Sequence, residues 1–216
     1  DSFSVATTPM MVDESHHVNT KELFQIPLIP LNPSFGIVTS KPEDTMDLKA
    51  MLKHERHNKG GDVTVLFAVR FPGCGGCREH AMQLADLAKR DKKVNLAAAV
   101  KESGVDDQAL LDFFEQYFHH PIYRDEKWRI FHAMGGRKVT KWSILRNVRG
   151  LYLRIKSKKI SSVKGKGDFW TKGGVMVFDK KERLCFMHLE EFGKEFDIDA
   201  IETAIQEIRS RQQHAT

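Results

Sequence analysis

Two cysteines separated by two glycines are the residues of this 216-residue chain best suited to chemistry. Cys74 and Cys77 follow the apolar run of residues 63–69 and precede a segment with helical periodicity. The first turn of a helix carries unpaired backbone N–H groups and the positive end of the helix dipole, and both favour a thiolate over a thiol. A C-x-x-C pair at a strand-to-helix junction therefore predicts thiol redox chemistry, although zinc sites use the same spacing.

The helical periodicity gives the two cysteines different roles. Counting from Cys77, apolar residues recur at Ala81, Leu84 and Ala88, which is the pattern of a helix face turned toward a core. Cys74 precedes this face, in a glycine-rich turn from which its sulfur can reach solvent. We expect Cys74 to be the attacking thiolate and Cys77 the resolving thiol that closes a disulfide. The simpler alternative is a pair of reduced, inert cysteines in a buried turn.

Residues near the cysteines suggest two further interpretations. Glu79 and His80 could act as a general base or tune the reactivity of Cys74, but a solvated helix face explains both equally simply, and we expect that role. A zinc site would use the two cysteines and His80, completed by His119 or His120. Because the chain has no second C-x-x-C pair, we expect neither a metal nor another cofactor.

Composition limits the class of protein and its compartment. The chain is 41% hydrophobic, and no apolar run approaches the ~20 residues that span a bilayer. Its three cysteines do not make a disulfide framework, and Cys185 stands alone in an apolar strand, where we expect a core position. We therefore expect a reducing compartment, either the cytoplasm or an organelle such as the plastid stroma. The start at Asp1 suggests a processed chain.

The net charge of +5 is unevenly distributed. Residues 137–172 contain twelve Lys or Arg and one acid, a net charge of +11, while the rest of the chain has a net charge of −6. Apolar residues within this segment keep a spacing of three or four, which predicts a basic amphipathic helix. They are Trp142, Leu145, Val148, Tyr152 and Ile155.

This helix could contact a partner through four basic residues, Lys141, Arg149, Arg154 and Lys156. An acidic protein or an anionic membrane surface would suit them, and we expect no specific nucleic acid because no nucleic-acid motif with interleaved aromatics is present. The alternative, which we favour, is that the apolar stripe packs on its own domain while the basic side chains stay in water.

The pattern of the remaining elements is that of an α/β protein. Runs 63–69 and 94–100 predict interior parallel strands, 121–123 a short edge strand, and 175–178 with 184–189 a β-hairpin before a final helix. We expect residues 1–33 to form an extended arm, residues 34–211 one domain that contains the basic insertion 137–172, and residues 212–216 a tail.

This order of elements resembles the thioredoxin fold with an N-terminal extension, which implies a three-layer α/β/α sandwich. Four motifs, in order, resemble the peroxiredoxin-like 2 (selenoprotein U-like) family of the alkyl hydroperoxide reductase/thiol-specific antioxidant group. They are Phe71-Pro-Gly-Cys-Gly-Gly-Cys-Arg-Glu-His80, Phe131-His-Ala-Met-Gly135, Gly173-Gly-Val-Met-Val-Phe178 and Glu191-Phe-Gly193. The resemblance implies an antioxidant or redox-regulating protein that acts on peroxide or on a redox partner protein, with Cys74 and Cys77 as its redox-active pair.

Several positions separate the chain from thioredoxins themselves. Gly73 stands where thioredoxins have a tryptophan, and Gly75-Gly76 lack the proline between the cysteines. Ala68 and Lys172 stand where thioredoxins have a buried acid and a cis-proline, so we expect no general disulfide reductase. The other class of function is a non-catalytic interaction subunit of a larger assembly on the same fold. It would dock through the N-terminal arm and the basic insertion.

Overall fold

A computed structural model describes residues 10–11, 19–34, 37–39, 42–101, 107–136, 138–163 and 170–214. In these ranges the strands are β1 (Met10–Met11), β2 (Pro27–Ser34), β3 (Ile37–Thr39), β4 (Met46–Asp47), β5 (Val63–Val69), β6 (Val94–Val100), β7 (Ile122–Arg124), β8 (Gly174–Asp179) and β9 (Leu184–Leu189). The helices are α1 (Thr20–Phe24), α2 (Leu48–Lys59), α3 (Gly75–Arg90), α4 (Asp107–Phe113), α5 (Arg129–Ala133), α6 (Lys141–Ser157) and α7 (Ile198–His214). A π-helical turn, Phe114–Phe118, extends α4.

The centre of the sheet has the order β9-β8-β5-β6. Strands β5 and β6 are parallel and pair residue by residue from Val63 with Val94 to Val69 with Val100. Strand β8 is antiparallel to β5, and β9 is antiparallel to β8. Helix α3 connects the two parallel strands, as a parallel crossover requires. This arrangement confirms the thioredoxin-like α/β fold that the sequence predicts.

Both faces of the central strands are covered by helices. Side chains alternate along β5, so Val65 and Phe67 pack in the core that includes residues of α3, α4 and α7. Leu66 and Ala68 point the other way, into a core that includes residues of α1, α2 and α5. The three-layer sandwich is therefore confirmed. None of the helices in the described ranges combines the length and the apolar composition that crossing a bilayer requires.

The N-terminal segment differs from the expected arm. Strand β2 joins the sheet by pairing antiparallel with β7, Leu31 opposite Ile122, and Leu23 and Leu28 are buried in the core of the same domain. The apolar residues of this segment gain more by burial than an extended arm would allow. Strand β7 consequently lies inside the sheet and is not the edge strand we expected. Residues 1–9 and 12–18 of the predicted arm lie outside the described ranges.

The basic insertion contains the predicted helix, α6, which continues through Gly150. The expectation that its apolar stripe packs on the domain is wrong for most of the stripe, since Trp142 and Leu145 are each 70% exposed. The inner side of the helix combines apolar and polar contacts. Leu151 is buried and Ile155 packs on the main core. The Asn147 side chain donates to the Phe192 carbonyl, and the Arg154 guanidinium donates to the Gly193 carbonyl. Residues 137 and 164–169 of the insertion lie outside the described ranges.

The expected C-terminal tail begins inside a helix. Residues 212–214 are the last residues of α7, while 215–216 lie outside the described ranges. Helix α7 packs Ile201, Ile205 and Ile208 into the core, as the period of its isoleucines predicts.

Candidate functional site

The two cysteines occupy the junction between β5 and α3. Cys74 is the N-cap residue, and its carbonyl accepts the first helical hydrogen bond from the N–H of Arg78 at 3.0 Å. Both cysteines are free thiols; Cys74 is partly exposed, and Cys77 is 1% exposed on the core-facing side of the helix. These positions match the sequence prediction for the two cysteines.

The glycines between the cysteines allow α6 to pack against the C-x-x-C turn. A Cβ atom at Gly75 would lie 2.5 Å from the Cδ1 atom of Ile155, which is closer than van der Waals contact allows. A Cβ atom at Gly76 would lie 3.5 Å from the Cδ1 atom of Leu151. The basic insertion therefore forms one wall of the thiol site.

A buried ion pair lies beside the thiols, and the sequence analysis missed it. The Arg70 guanidinium lies 3.4 Å from the Cys74 sulfur and 2.9 Å from a carboxylate oxygen of Glu190. Both charged side chains are only 2% exposed. The other carboxylate oxygen of Glu190 accepts a hydrogen bond from the N–H of Gly173 at 3.1 Å. Arg70 thus faces a sulfur and a carboxylate in a region shielded from water.

The order of the strands could have predicted that Arg70 and Glu190 lie close together. Arg70 follows β5 directly and Glu190 follows β9 directly. These two strands run in the same direction because each is antiparallel to β8, which lies between them. Their carboxyl ends therefore meet at one edge of the sheet, next to the start of α3. Charged residues at two such ends are candidates for a shared site.

The pKa values of the two thiols are shifted in opposite directions. A hydrogen bond from the Cys77 thiol and the positive charge of Arg70 together lower the pKa of Cys74 to about 5, against the opposing effect of burial. The same hydrogen bond, burial and the negative charge of Cys74 raise the pKa of Cys77 well above its ordinary value. These opposite shifts favour a thiolate at Cys74 beside a thiol at Cys77.

Glu79 and His80 are buried, so the expectation of a solvated helix face is wrong for both. The Glu79 carboxylate accepts from the Arg154 guanidinium at 3.1 Å and from the Lys158 ammonium at 2.9 Å. Burial by itself would raise the pKa of Glu79, but hydrogen bonds from these two cations hold it below its ordinary value. Glu79 therefore attaches α6 to α3.

The His80 ring is fixed by two contacts away from the thiols. It stacks on Phe196 with 3.9 Å between ring centroids, and its Nε2–H donates to the Lys194 carbonyl at 2.8 Å. A carbonyl only accepts, so this contact requires the proton on Nε2. The ring packs between α3 and the segment before α7, and no hydrogen bond joins His80 to either cysteine in the described part of the chain.

The zinc alternative requires residues that the fold keeps apart. His119 and His120 line a surface pocket with Ala85, Lys89 and Lys92, toward the end of α3 that lies away from the cysteines. Among the described residues, no three His, Cys, Asp or Glu side chains are grouped as a metal site would require. Cys185 is partly buried against the main core, as predicted for its strand, and burial raises its pKa.

The four predicted surface-binding residues do not share one environment. Lys141, Arg149 and Lys156 are exposed on α6. Arg154 is 28% exposed and is paired with Glu79 inside the protein. Only the first three therefore remain available to a partner.

The fold and the thiol site together define a class of protein. It is a thioredoxin-like protein with two unequal thiols at the start of the helix that connects its parallel strands. Residues 82–191 match the family model described as AhpC/TSA antioxidant enzyme. The chain therefore belongs to this family. The matched stretch begins after Cys77, so the match does not include the two cysteines.

Two curated proteins agree with this assignment. Peroxiredoxin-like 2A of Gallus gallus is 30% identical over 189 residues, covering 79% of this chain and 81% of that protein. Peroxiredoxin-like 2A of Homo sapiens is 29% identical over 191 residues, covering 80% and 81%. A peroxiredoxin-like protein from Aquifex aeolicus aligns in structure with a TM-score of 0.49 and 11% identity, covering 84% of this chain and 83% of that one. The family and the two curated relatives indicate a thiol redox role.

Proposed function

We propose that this protein is a peroxiredoxin-like thiol oxidoreductase in which Cys74 is the nucleophile and Cys77 the resolving thiol. The observation that carries the proposal is the environment of the Cys74 sulfur, which lies 3.4 Å from the buried Arg70 guanidinium and receives a hydrogen bond from the Cys77 thiol. Both contacts stabilise a thiolate, which is the nucleophilic form of cysteine.

The first step is attack of the Cys74 thiolate on a peroxide oxygen. The S–O bond forms as the O–O bond breaks, the leaving oxygen takes a proton to become an alcohol or water, and Cys74 becomes a sulfenic acid. The Cys77 sulfur then attacks Cys74, forming the disulfide and releasing water. A dithiol reductant returns both sulfurs to the reduced state. In each cycle two electrons pass from the reductant to the peroxide.

The buried ion pair has a defined part in the first step. Arg70 stabilises the negative charge on Cys74 because its guanidinium faces the sulfur in a region of low dielectric. Glu190 orients the guanidinium through the other side of the ion pair. Arg70 therefore acts as a catalytic residue that contacts the reacting atom, and Glu190 acts as a positioning residue.

Mass spectrometry of alkylated peptides tests the proposal. One equivalent of hydrogen peroxide should produce a Cys74–Cys77 disulfide that dithiothreitol reverses. The Cys77→Ser variant should stop at a sulfenic acid on Cys74 that dimedone labels, and Cys74→Ser should form neither product. Cys185→Ser is the matched control, because it removes a thiol elsewhere and should leave the disulfide unchanged. If the wild-type pair stays reduced and both thiols alkylate at ordinary rates, the proposal is wrong.

The second candidate is a non-catalytic interaction module, favoured by the exposed apolar residues of α6. It predicts that association with a partner survives Cys74→Ser and is lost when Lys141 and Arg149 are neutralised. Salt should weaken such association, because exposed charges are screened. The two functions can coexist, since the thiols and the exposed side of α6 are different surfaces.

A further inference from the structure

The outward side of α6 carries apolar and basic residues in one stripe. Trp142, Leu145, Arg149, Tyr152 and Lys156 follow at intervals of three or four, so they share one side of the helix. The three apolar members are 62–70% exposed although each has a large apolar side chain. We call these five residues the outer stripe of α6. They lie away from Leu151, which is buried against the domain.

The charge of this helix has one sign. Residues 141–157 contain five basic residues and no acid. Of these, Arg154 is already paired with Glu79 on the inner side of the helix. In the described parts of the chain, no acidic side chain lies within ion-pair distance of Lys141, Arg149 or Lys156. The outer stripe therefore presents positive charge that a partner with negative charge would complement.

The mixture of apolar and basic residues in the outer stripe distinguishes between two kinds of partner, a protein and a bilayer surface. Trp, Tyr and Arg are common at protein–protein interfaces, whereas lysine is depleted there and most polar residues lie at the rim. In the outer stripe, Arg149 lies between Leu145 and Tyr152, and Lys156 follows Tyr152. A bilayer surface accommodates this mixture with lysine included, because Trp and Tyr lie at headgroup level and long basic side chains reach the phosphates while their stems stay in apolar surroundings.

From the outer stripe we infer that α6 docks on an anionic membrane surface, with its axis parallel to the bilayer. A helix of 17 residues offers a contact about 25 Å long. Its inner side holds it to the protein through Leu151, Ile155 and the Glu79 ion pairs. The C-x-x-C turn lies directly behind the helix, so docking would bring Cys74 to within about 10 Å, one helix diameter, of the lipid surface.

Vesicle flotation tests this inference with the whole chain. Vesicles of phosphatidylcholine with 30% phosphatidylserine should bind the protein, vesicles of phosphatidylcholine alone should bind it at least tenfold less, and raising the salt concentration should weaken binding. The Cys74→Ser variant should bind as the wild type does. Docking can therefore fail or succeed independently of the proposed redox function.

Variants on the stripe give the decisive comparison. Arg149→Gln combined with Lys156→Gln should weaken binding to the anionic vesicles by about 10- to 30-fold. Lys92→Gln combined with Lys93→Gln is the matched control. It removes the same charge from exposed positions at the far end of α3 and should change binding less than twofold.

A spectroscopic measurement locates the contact. Binding should shift the tryptophan emission to shorter wavelength, and Trp142→Phe should abolish this shift while most of the binding remains, because phenylalanine is still apolar. The inference is overturned if the anionic vesicles fail to bind, which would favour an acidic protein as the partner. It is also overturned if the control variant weakens binding as much as the stripe variant, or if the emission shift persists without Trp142.

Discussion

Two buried carboxylates, Glu190 and Glu79, neutralise cations in different ways. Their side chains are 2% and 1% exposed. The partner of Glu190 is Arg70, which is as deeply buried and which also contacts the Cys74 sulfur. The partners of Glu79 come from α6 and from the residue after it, and they remain 28% and 37% exposed.

The difference shows that the burial of one partner does not determine the role of an ion pair. When both partners are removed from water, each charge acts strongly on its neighbours, and a nearby thiol responds. When the cations stay in contact with solvent, their field is screened, and the pair mainly fixes one helix on another. We therefore assign the Arg70–Glu190 pair to the chemistry of Cys74 and the Glu79 pairs to the attachment of α6.

The largest effect should follow from Arg70→Met, which removes the cation that faces the thiol. The pKa of Cys74 should rise by about 2 units, so alkylation by iodoacetamide at pH 6 should slow about tenfold. Glu190 is left buried and unpaired, and the free energy of unfolding should fall by about 3–5 kcal/mol. Arg70→Lys retains the charge, so it should raise the pKa of Cys74 less and should lower the free energy of unfolding less.

A double variant separates the two effects of Arg70. Arg70→Met combined with Glu190→Gln removes both charges and should restore much of the stability, while the thiol pKa should stay above that of the wild type. The assignment of Arg70 to the chemistry fails if the single variant loses stability but keeps the wild-type dependence of alkylation on pH.

Glu190→Gln should have a smaller effect, with the opposite sign at the thiol. The negative charge of Glu190 raises the pKa of Cys74, so its removal should lower that pKa below about 5 and speed alkylation at pH 4 a few-fold. Stability should fall by about 2–3 kcal/mol because Arg70 loses its buried partner. Chemical denaturation and the pH profile of alkylation measure the two quantities. Glutamine keeps an oxygen that can accept from Arg70, so the guanidinium should stay beside the sulfur. Slower alkylation at pH 4 would contradict this expectation and would mean that the charge of Glu190 is needed to position Arg70.

Glu79→Gln should change stability and leave the thiol unaffected. The folded-state pKa of Glu79 lies below its unfolded value, so its ion pairs stabilise the protein above the unfolded pKa and lose that effect as the pH falls through the folded pKa. The variant should be about 1–2 kcal/mol less stable at pH 7. The difference in stability between the variant and the wild type should narrow below about pH 4. Denaturation at both pH values checks this, and a shift in the pKa of Cys74 would contradict the contrast with Glu190.

The smallest effect should come from Trp142→Ala on the outer stripe. The side chain is 70% exposed, so its loss should change the free energy of unfolding by no more than about 0.5 kcal/mol. Leu151→Ala, on the inner side of the same helix, is the matched comparison and should cost about 2 kcal/mol or more. Thermal unfolding measures both, and equal costs would mean that α6 packs in a different rotation.

The sequence alone determined the central elements of the fold and the position of the thiols. Val63–Val69 and Val94–Val100 were predicted with their observed bounds, because strands buried on both faces appear as continuous apolar runs. The asymmetry between Cys74 and Cys77 also followed from local periodicity. Cys77 lies three positions after the N-cap residue Cys74 and begins the core-facing side of the helix. These features depend on neighbours along the chain.

Only the tertiary structure decided which distant charges meet. Arg70 and Glu190 are 120 residues apart in the sequence and are brought together by the parallel directions of β5 and β9. The rotation of α6 was likewise decided by distant groups. Leu151 and Ile155 pack on the C-x-x-C turn, while Glu79 and the Phe192 and Gly193 carbonyls bind the polar side chains on the same side of the helix. Hydrophobic periodicity shows that a helix has an apolar side. Which side faces the protein depends on partners that periodicity does not identify.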